Sequence, residues 1–280
     1  MILQINYLLI SRISMINKDY LYTKNWEDLN AVALEPAALY LYTQDPEDRS
    51  LHCSSVLSTN NMDAIFEEIS INDNDQMIVS SNSIMVPMSS TEAIGSFFSS
   101  YKFRVLYIEV TGMSCRLVAP LMKYTVENGI ETRIVYSEPK EYLLHEFQKE
   151  GLNKDLSESV AGVNPLPGFI RLVPFKDEPL FVTLLGFEGG RFSYLVTNKQ
   201  PSYDKILPVV GVPGYMIHYP FETFWGNRNA LKTTRAYERV VYSEANSIVD
   251  IYLTLGKISY DKRNMNMIVA PIGTKPHAIG

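Results

Sequence analysis

Short turns that contain glycine follow several apolar runs of this sequence, and they carry the side chains best suited to binding a small anion. Glycine lets a backbone approach a ligand closely, while Thr, Ser, Arg and Lys supply hydroxyl and cationic donors. A helix that begins after such a turn adds free backbone N–H groups. The turns therefore predict a site for a phosphate, a carboxylate or a nucleotide. The predicted ligand-binding residues are Thr111, Gly112, Ser114, Gly186, Arg191, Asn227, Arg228, Gly273, Thr274 and Lys275.

Three acidic residues allow a second interpretation. Glu109 lies within an apolar run, where an unpaired carboxylate is costly to bury, and Glu138 and Glu188 are expected to end neighbouring strands. Glu138 and Glu188 are thus the candidates for a catalytic acid and base, or for ligands of a divalent cation. The alternative is that they pair with Arg191, Arg228 and Lys275. We favour the ion pairs, because the spacing of the acids matches no nuclease or phosphatase motif.

The motifs of several common site classes are absent from the sequence. It contains no GxxxxGK[ST] phosphate loop, no HExxH pair and no GxSxG nucleophile turn. The four histidines are widely spaced, and Cys53 and Cys115 form no CxxC array, so we expect no metal site. Whether the protein is an enzyme is left open by these patterns, and no reaction is identified.

The elements that position the turns alternate between strands and helices. Apolar runs of strand length lie at 105–110, 132–136, 180–185, 205–210 and 267–271, and helical patterns lie between most of them. Such alternation is typical of a parallel sheet covered by helices on both faces. We therefore predict an α/β fold with one Rossmann-like, mainly parallel sheet. The predicted site residues would then meet at the carboxyl edge of that sheet.

Two regions follow from the same pattern. Residues 103–280 form the predicted Rossmann-like domain, and residues 1–102 form an N-terminal α/β extension that continues its sheet. In the extension, 38–42 and 77–79 are predicted strands, and a short helix is expected through Ile65 and Phe66. Residues 151–176 are expected to form a long loop, and no helix is expected after Gly273. Met15 is an alternative start, and a truncation at Gly280 is also open.

Composition narrows the possible partners. The formal charge of −6 disfavours a broad nucleic-acid surface and an anionic membrane, although a local cationic cluster still suits a small anionic ligand. The apolar N-terminal run is too short to span a bilayer. Two cysteines suit a reducing cytoplasm, where we expect the protein to reside. Eighteen Tyr and twelve Phe favour a sizeable core, and also a homo-oligomer or a protein partner.

Three stretches carry a resemblance to a known family: 107–114 (YIEVTGMS), 136–142 (YSEPKEY) and 271–276 (PIGTKP). In these stretches, residues 105–280 resemble CARF-type Rossmann domains. The resemblance implies that the Thr111–Gly112 turn and the Gly273-Thr274-Lys275 turn line a pocket for cyclic oligonucleotides. It also implies a dimer and a separate effector domain, for which this sequence has no counterpart. The chain is similar as well to α/β proteins associated with bacterial defence clusters.

Three function classes result. The first is a nucleotide- or small-anion-binding protein, such as a sensor in a bacterial defence system. The second is a hydrolase or transferase that acts on a small phosphorylated substrate through Glu138 and Glu188. The third is a non-catalytic subunit of a multi-protein assembly, which would expose an apolar patch.

Overall fold

The computed structural model describes residues 2–5, 21–44, 48–139, 166–169 and 176–280. These residues form two compact units, the first comprising the described residues up to Pro139 together with 166–169, and the second comprising 176–280. Each unit has its own sheet, and the predicted α/β class with helices around mainly parallel strands is confirmed. No helix within these ranges is long and apolar enough to cross a bilayer.

The first unit is built on an eight-stranded sheet with the order β2-β1-β8-β7-β3-β4-β5-β6. Strands β8, β7, β3 and β4 run parallel, and the other neighbours pair antiparallel. The strands are Ile2–Ile5 (β1), Leu21–Lys24 (β2), Ala38–Tyr42 (β3), Ile65–Ile71 (β4), Gln76–Val79 (β5), Met85–Pro87 (β6), Val105–Glu109 (β7) and Thr132–Val135 (β8). The helices are Asp48–Asn60 (α1), Thr91–Ser99 (α2) and Cys115–Glu127 (α3).

The core of the first unit is formed by short, mostly apolar strands and the helices that cover them. Every residue of β7 is buried, and Tyr40 and Tyr107 from neighbouring strands pack with Cys53 and Leu57 of α1. Local signals set the ends of α3: the Ser114 hydroxyl accepts a hydrogen bond from the Arg116 N–H, and Gly129 ends the helix with a φ of 63°.

The second unit has a four-stranded parallel sheet with the order β11-β10-β9-β12. Along the chain this is the order 3-2-1-4, which is one half of a doubly wound fold. The strands are Leu180–Leu185 (β9), Ile206–Gly211 (β10), Val241–Ser243 (β11) and Met267–Pro271 (β12). The helices are Gly189–Lys199 (α4), Tyr219–Thr233 (α5), Ile248–Asp261 (α6) and Lys275–Ile279 (α7).

Helices cover both faces of this second sheet. Alternate residues of β9 point to opposite faces, so Leu185 packs with Phe192 of α4, whereas Val182 and Leu184 pack with Ile251 of α6. All six residues of β9 are buried. A central strand of this kind needs apolar residues on both faces, which explains why it reads as a continuous apolar run.

The prediction of one continuous sheet is wrong. Strands β7 and β8 belong to the first sheet, and β9, β10 and β12 belong to the second. Strand β1 pairs antiparallel with β8, with Ile2 opposite Val135. It therefore occupies the place beside β8 at which β9 would have been added. The N-terminal strands β3 to β6 share a sheet with β7, and the units divide after Pro139 rather than at the predicted 102/103 boundary.

Two local predictions are also wrong. Ile65 and Phe66 begin strand β4, which pairs parallel with β3, and they are not part of a helix. A short helix, α7, does follow Gly273, because Thr274 caps it and Pro276 lies in its first turn. The alternative start at Met15 and most of the predicted 151–176 loop lie outside the described residues.

Two glycines bring α4 and α5 into backbone contact, and this contact yields a stability prediction. A Cβ atom on Gly189 would overlap the carbonyl oxygen of Gly226, whereas a Cβ on Gly256, within α6, meets nothing within 4 Å. We expect Gly189→Ala to destabilise the protein by about 3 kcal/mol, the upper range for overpacking. Gly256→Ala should stabilise it by about 0.5–1 kcal/mol, because alanine restricts the unfolded chain. Urea unfolding followed by circular dichroism measures both changes, and equal effects at the two positions would contradict this assignment.

Candidate functional site

Each unit has one point at which the strand order reverses, and this is where ligands bind in open parallel sheets. In the first unit the reversal lies between β3 and β7, because β4 is added on one side of β3 and β7 on the other. In the second unit it lies between β9 and β12. The predicted residues divide between these two points. Thr111, Gly112, Ser114 and Glu138 follow strands of the first sheet, and the others belong to the second unit.

Thr111 connects the ends of two strands in the first unit. Its hydroxyl accepts a hydrogen bond from the Ser137 N–H at 2.9 Å, and its own N–H donates to Oε1 of the buried Glu109 at 3.3 Å. Gly112 is buried beside it, and Ser114 is exposed at the start of α3, where its hydroxyl caps the helix. These contacts give Thr111 and Ser114 structural roles.

Arg49 is a residue of this region that the sequence analysis missed. It lies in the first turn of α1 and donates from Nη1 to the Ser137 carbonyl at 2.8 Å and to the Tyr136 hydroxyl at 3.3 Å. The available signal was its place in the segment that follows the predicted strand 38–42, seven residues after Tyr42. Nearby Cys53 lies 3.7 Å from the Tyr40 hydroxyl, and burial, followed by the charge of Glu109, raises the pKa of its thiol. Cys53 is therefore protonated and a poor nucleophile at neutral pH.

In the second unit, the loops after β9 and β12 meet directly. A Cβ atom on Gly186 would lie 3.1 Å from the Cα of Gly273, and one on Gly273 would lie 2.8 Å from the Leu185 carbonyl oxygen. Gly273 is thus needed for the approach of the two backbones, and a side chain at Gly186 would fit only if the backbones shifted slightly. The structure therefore brings together these two predicted turns at the point where the strand order reverses.

Asn227 holds this junction from α5. Its side-chain amide donates to the Gly186 carbonyl at 2.7 Å and to the Thr223 carbonyl at 2.8 Å, which fixes the orientation of the amide group. The other amide atom, Oδ1, is buried and accepts no hydrogen bond. A buried acceptor without a donor is uncommon and costly in folded proteins.

The predicted cationic side chains of the second unit differ in the contacts that they make. Arg191, in the first turn of α4, forms an ion pair with the largely buried Glu188, which confirms the ion-pair interpretation for that acid. The Arg228 guanidinium lies 4.2 Å from the centroid of the Trp225 ring and donates to the Trp225 carbonyl at 2.7 Å. Lys275 begins α7, so Arg191 and Lys275 come directly after the two loops that meet.

The last helix fastens the end of β12 to the loop after β11. The Thr274 hydroxyl donates to the Ala245 carbonyl at 2.8 Å, and Nε2 of His277 lies 2.9 Å from the Glu244 carbonyl. A proton on Nε2 makes this contact a hydrogen bond, which leaves Nδ1 as an acceptor. Nδ1 is buried and has no hydrogen-bond partner. Sequence analysis did not select His277, although it lies two residues after Lys275.

The expectation that Glu138 and Glu188 end neighbouring strands is not met. Glu138 follows β8 of the first sheet and Glu188 follows β9 of the second, so they do not end neighbouring strands. Within the described ranges, no group of three or more His, Cys, Asp or Glu side chains is arranged to hold a metal ion. Comparison of the chain with protein-family models, curated proteins and solved structures finds no match.

The burial of His277 makes the stability of the protein depend on pH. Desolvation lowers the pKa of His277 below its ordinary value of 6.5, so the unfolded chain binds this proton more tightly than the folded chain does. The contribution of His277 is therefore fully present above the unfolded pKa and is lost as the pH falls from about 6.5 through the lowered folded pKa. We expect His277→Gln, which keeps a donor for Glu244 but does not titrate, to reduce the loss of unfolding free energy between about pH 7.5 and about pH 5.5. Urea titrations of both proteins measure this loss, and parallel pH profiles would rule out the role of His277.

Proposed function

We propose that the second unit binds a small phosphate-bearing ligand, such as a nucleotide, at the carboxyl ends of β9 and β12. The observation that supports this most strongly is the meeting of the Gly186 and Gly273 loops where the strand order reverses. Arg191 and Lys275 directly follow these loops and would supply the positive charge. Asn227 lies at the same junction, where its side-chain amide holds the Gly186 loop in place.

Binding without catalysis accounts for the arrangement better than hydrolysis or group transfer does. A general acid–base mechanism needs two groups near the reacting atoms. Glu188 is instead held in an ion pair by Arg191. A role as a sensor in bacterial defence would fit a protein that binds such a ligand, and cyclic oligonucleotides belong among the ligands tested.

Lys275→Ala tests the position of the site. A charge-assisted contact to phosphate contributes roughly 1.5–3 kcal/mol, so the variant should bind about ten- to a hundredfold more weakly. Isothermal titration calorimetry with inorganic phosphate, mononucleotides and cyclic oligonucleotides measures the affinity. Lys199→Ala, at the exposed end of α4 and at the opposite edge of the sheet, removes the same charge and should have no effect. Equal affinities of both variants for every bound ligand would place the site elsewhere, and a lower melting temperature of Lys275→Ala without an affinity change would indicate a structural lysine.

Glu188→Gln tests the charge balance of the same site with the opposite sign. Gln keeps an oxygen that accepts a hydrogen bond from Arg191, but it removes the negative charge that competes with an anionic ligand. We expect phosphate or nucleotide to bind about tenfold more tightly, a gain of about 1.4 kcal/mol. If Glu188 were instead a catalytic acid or base, the variant would abolish turnover of a phosphorylated substrate, which phosphate release assays would detect.

A role in a larger assembly is the second candidate, and one specific observation favours it. Several large apolar side chains of the second unit are exposed on and before α5, away from the Asn227 junction. This surface is argued separately below, because it depends on different residues.

A further inference from the structure

One side of α5 exposes an apolar row to solvent. Ile217, Phe221 and Trp225 are 90%, 73% and 56% exposed. They are spaced four residues apart, so they lie on the same side of the helix, and we call them the α5 stripe. A backbone hydrogen bond from the Tyr219 N–H to the Met216 carbonyl closes a turn that includes Ile217 directly before the helix. The opposite side of the helix is buried and consists of Tyr219, Thr223, Asn227, Ala230 and Leu231.

Exposure of these side chains is costly for an isolated molecule. Aromatic side chains bury about 150–250 Å² each when covered, and monomeric proteins rarely expose contiguous apolar patches beyond a few hundred Å². The Arg228 guanidinium lies over the Trp225 ring, whereas the α5 stripe itself contains no acidic residue. The stripe therefore has the composition of an interface core, with aromatic anchors and a flanking arginine.

We propose that the α5 stripe is the contact surface of a homodimer in which two copies of α5 pack antiparallel. Phe221 of one protomer would face Phe221 of its partner, and Ile217 would face the partner's Trp225. The stripe is self-complementary in this arrangement, because the smaller aliphatic side chain at one end meets the larger ring at the other.

The cations on the same side of the helix favour the antiparallel direction of packing. Arg228 and Lys232 follow the stripe towards the C-terminus of α5. Antiparallel packing centred on Phe221 separates the two Arg228 residues by about 14 helical positions, roughly 20 Å along the axis. That separation exceeds the screening length of about 8–10 Å in physiological salt, whereas parallel packing would place like charges side by side.

The size of the stripe sets the expected strength of the dimer. Two copies of the stripe, with Met216 beside each, bury roughly 1,000 Å² in total, near the lower limit for specific association. A weak, concentration-dependent dimer with a dissociation constant on the order of micromolar is therefore expected.

Sedimentation velocity over a protein concentration range of about 1–200 µM tests the association. The mass should rise from 31.8 kDa towards twice that value. Phe221→Asp should have a dissociation constant raised at least about a hundredfold, so it should stay largely monomeric at the concentrations where the wild type first dimerises. Tyr260→Asp, at a ring that is 68% exposed on α6, is the matched control and should dimerise as the wild type does. A monomer at every concentration, or equal dimerisation of Phe221→Asp, overturns the proposal.

Disulfide trapping tests the direction of packing. The background is Cys115→Ser, because Cys53 is buried and Cys115 is partly exposed. Under oxidation, Phe221→Cys should form a covalent dimer with itself, and a mixture of Ile217→Cys with Trp225→Cys should form mixed dimers. Ile217→Cys alone should not, because its two copies lie about 12 Å apart along the axis. Efficient dimers of Ile217→Cys alone, without dimers of Phe221→Cys, would contradict antiparallel packing centred on Phe221.

Discussion

Close approach of backbones at glycine is the constraint on which the second unit depends. Gly273 lies against the Leu184 and Leu185 carbonyls, and Gly189 lies against Gly226. Any side chain at these positions would separate the loops and the two helices. Because the backbones meet, the Asn227 amide reaches the Gly186 carbonyl, and the cations that follow the loops are held at one edge of the sheet.

Most strands and helices follow from apolar runs that end near a glycine. These elements were therefore predictable from the sequence. Strands β7 and β9 are short and mostly apolar, and each is followed within a few residues by a glycine, so periodicity and turn residues suffice. The division into two sheets was not predictable, because it rests on the pairing of Ile2 with Val135, which are far apart in the sequence. Residue types also leave the role of a glycine open, since the same residue permits the approach of a ligand or of another backbone.

Polar side chains join strand ends at both points of strand reversal. In the first unit, Thr111, Ser137 and Arg49 bond to neighbouring strand ends, and the contacts join β7, β8 and α1. In the second unit, the side chains of Asn227 and His277 each contact a backbone carbonyl and so hold the fold. Each also has a buried acceptor atom, Oδ1 and Nδ1 respectively, that accepts no hydrogen bond. The sequence shows hydroxyl, amide and imidazole groups at both points, but only the tertiary arrangement reveals which retain hydrogen-bonding capacity.

The strand order 3-2-1-4 has a consequence for synthesis on the ribosome. Strand β9 pairs with β12, so about eighty residues must be translated after β9 before its second neighbour exists. Until then one edge of β9 has no strand to bond with, and its apolar side chains lack part of their cover. The first sheet, by contrast, has all its strands once Val135 has been added. Translation therefore favours early completion of the first unit, while the nascent second unit is the segment that chaperones would have to protect.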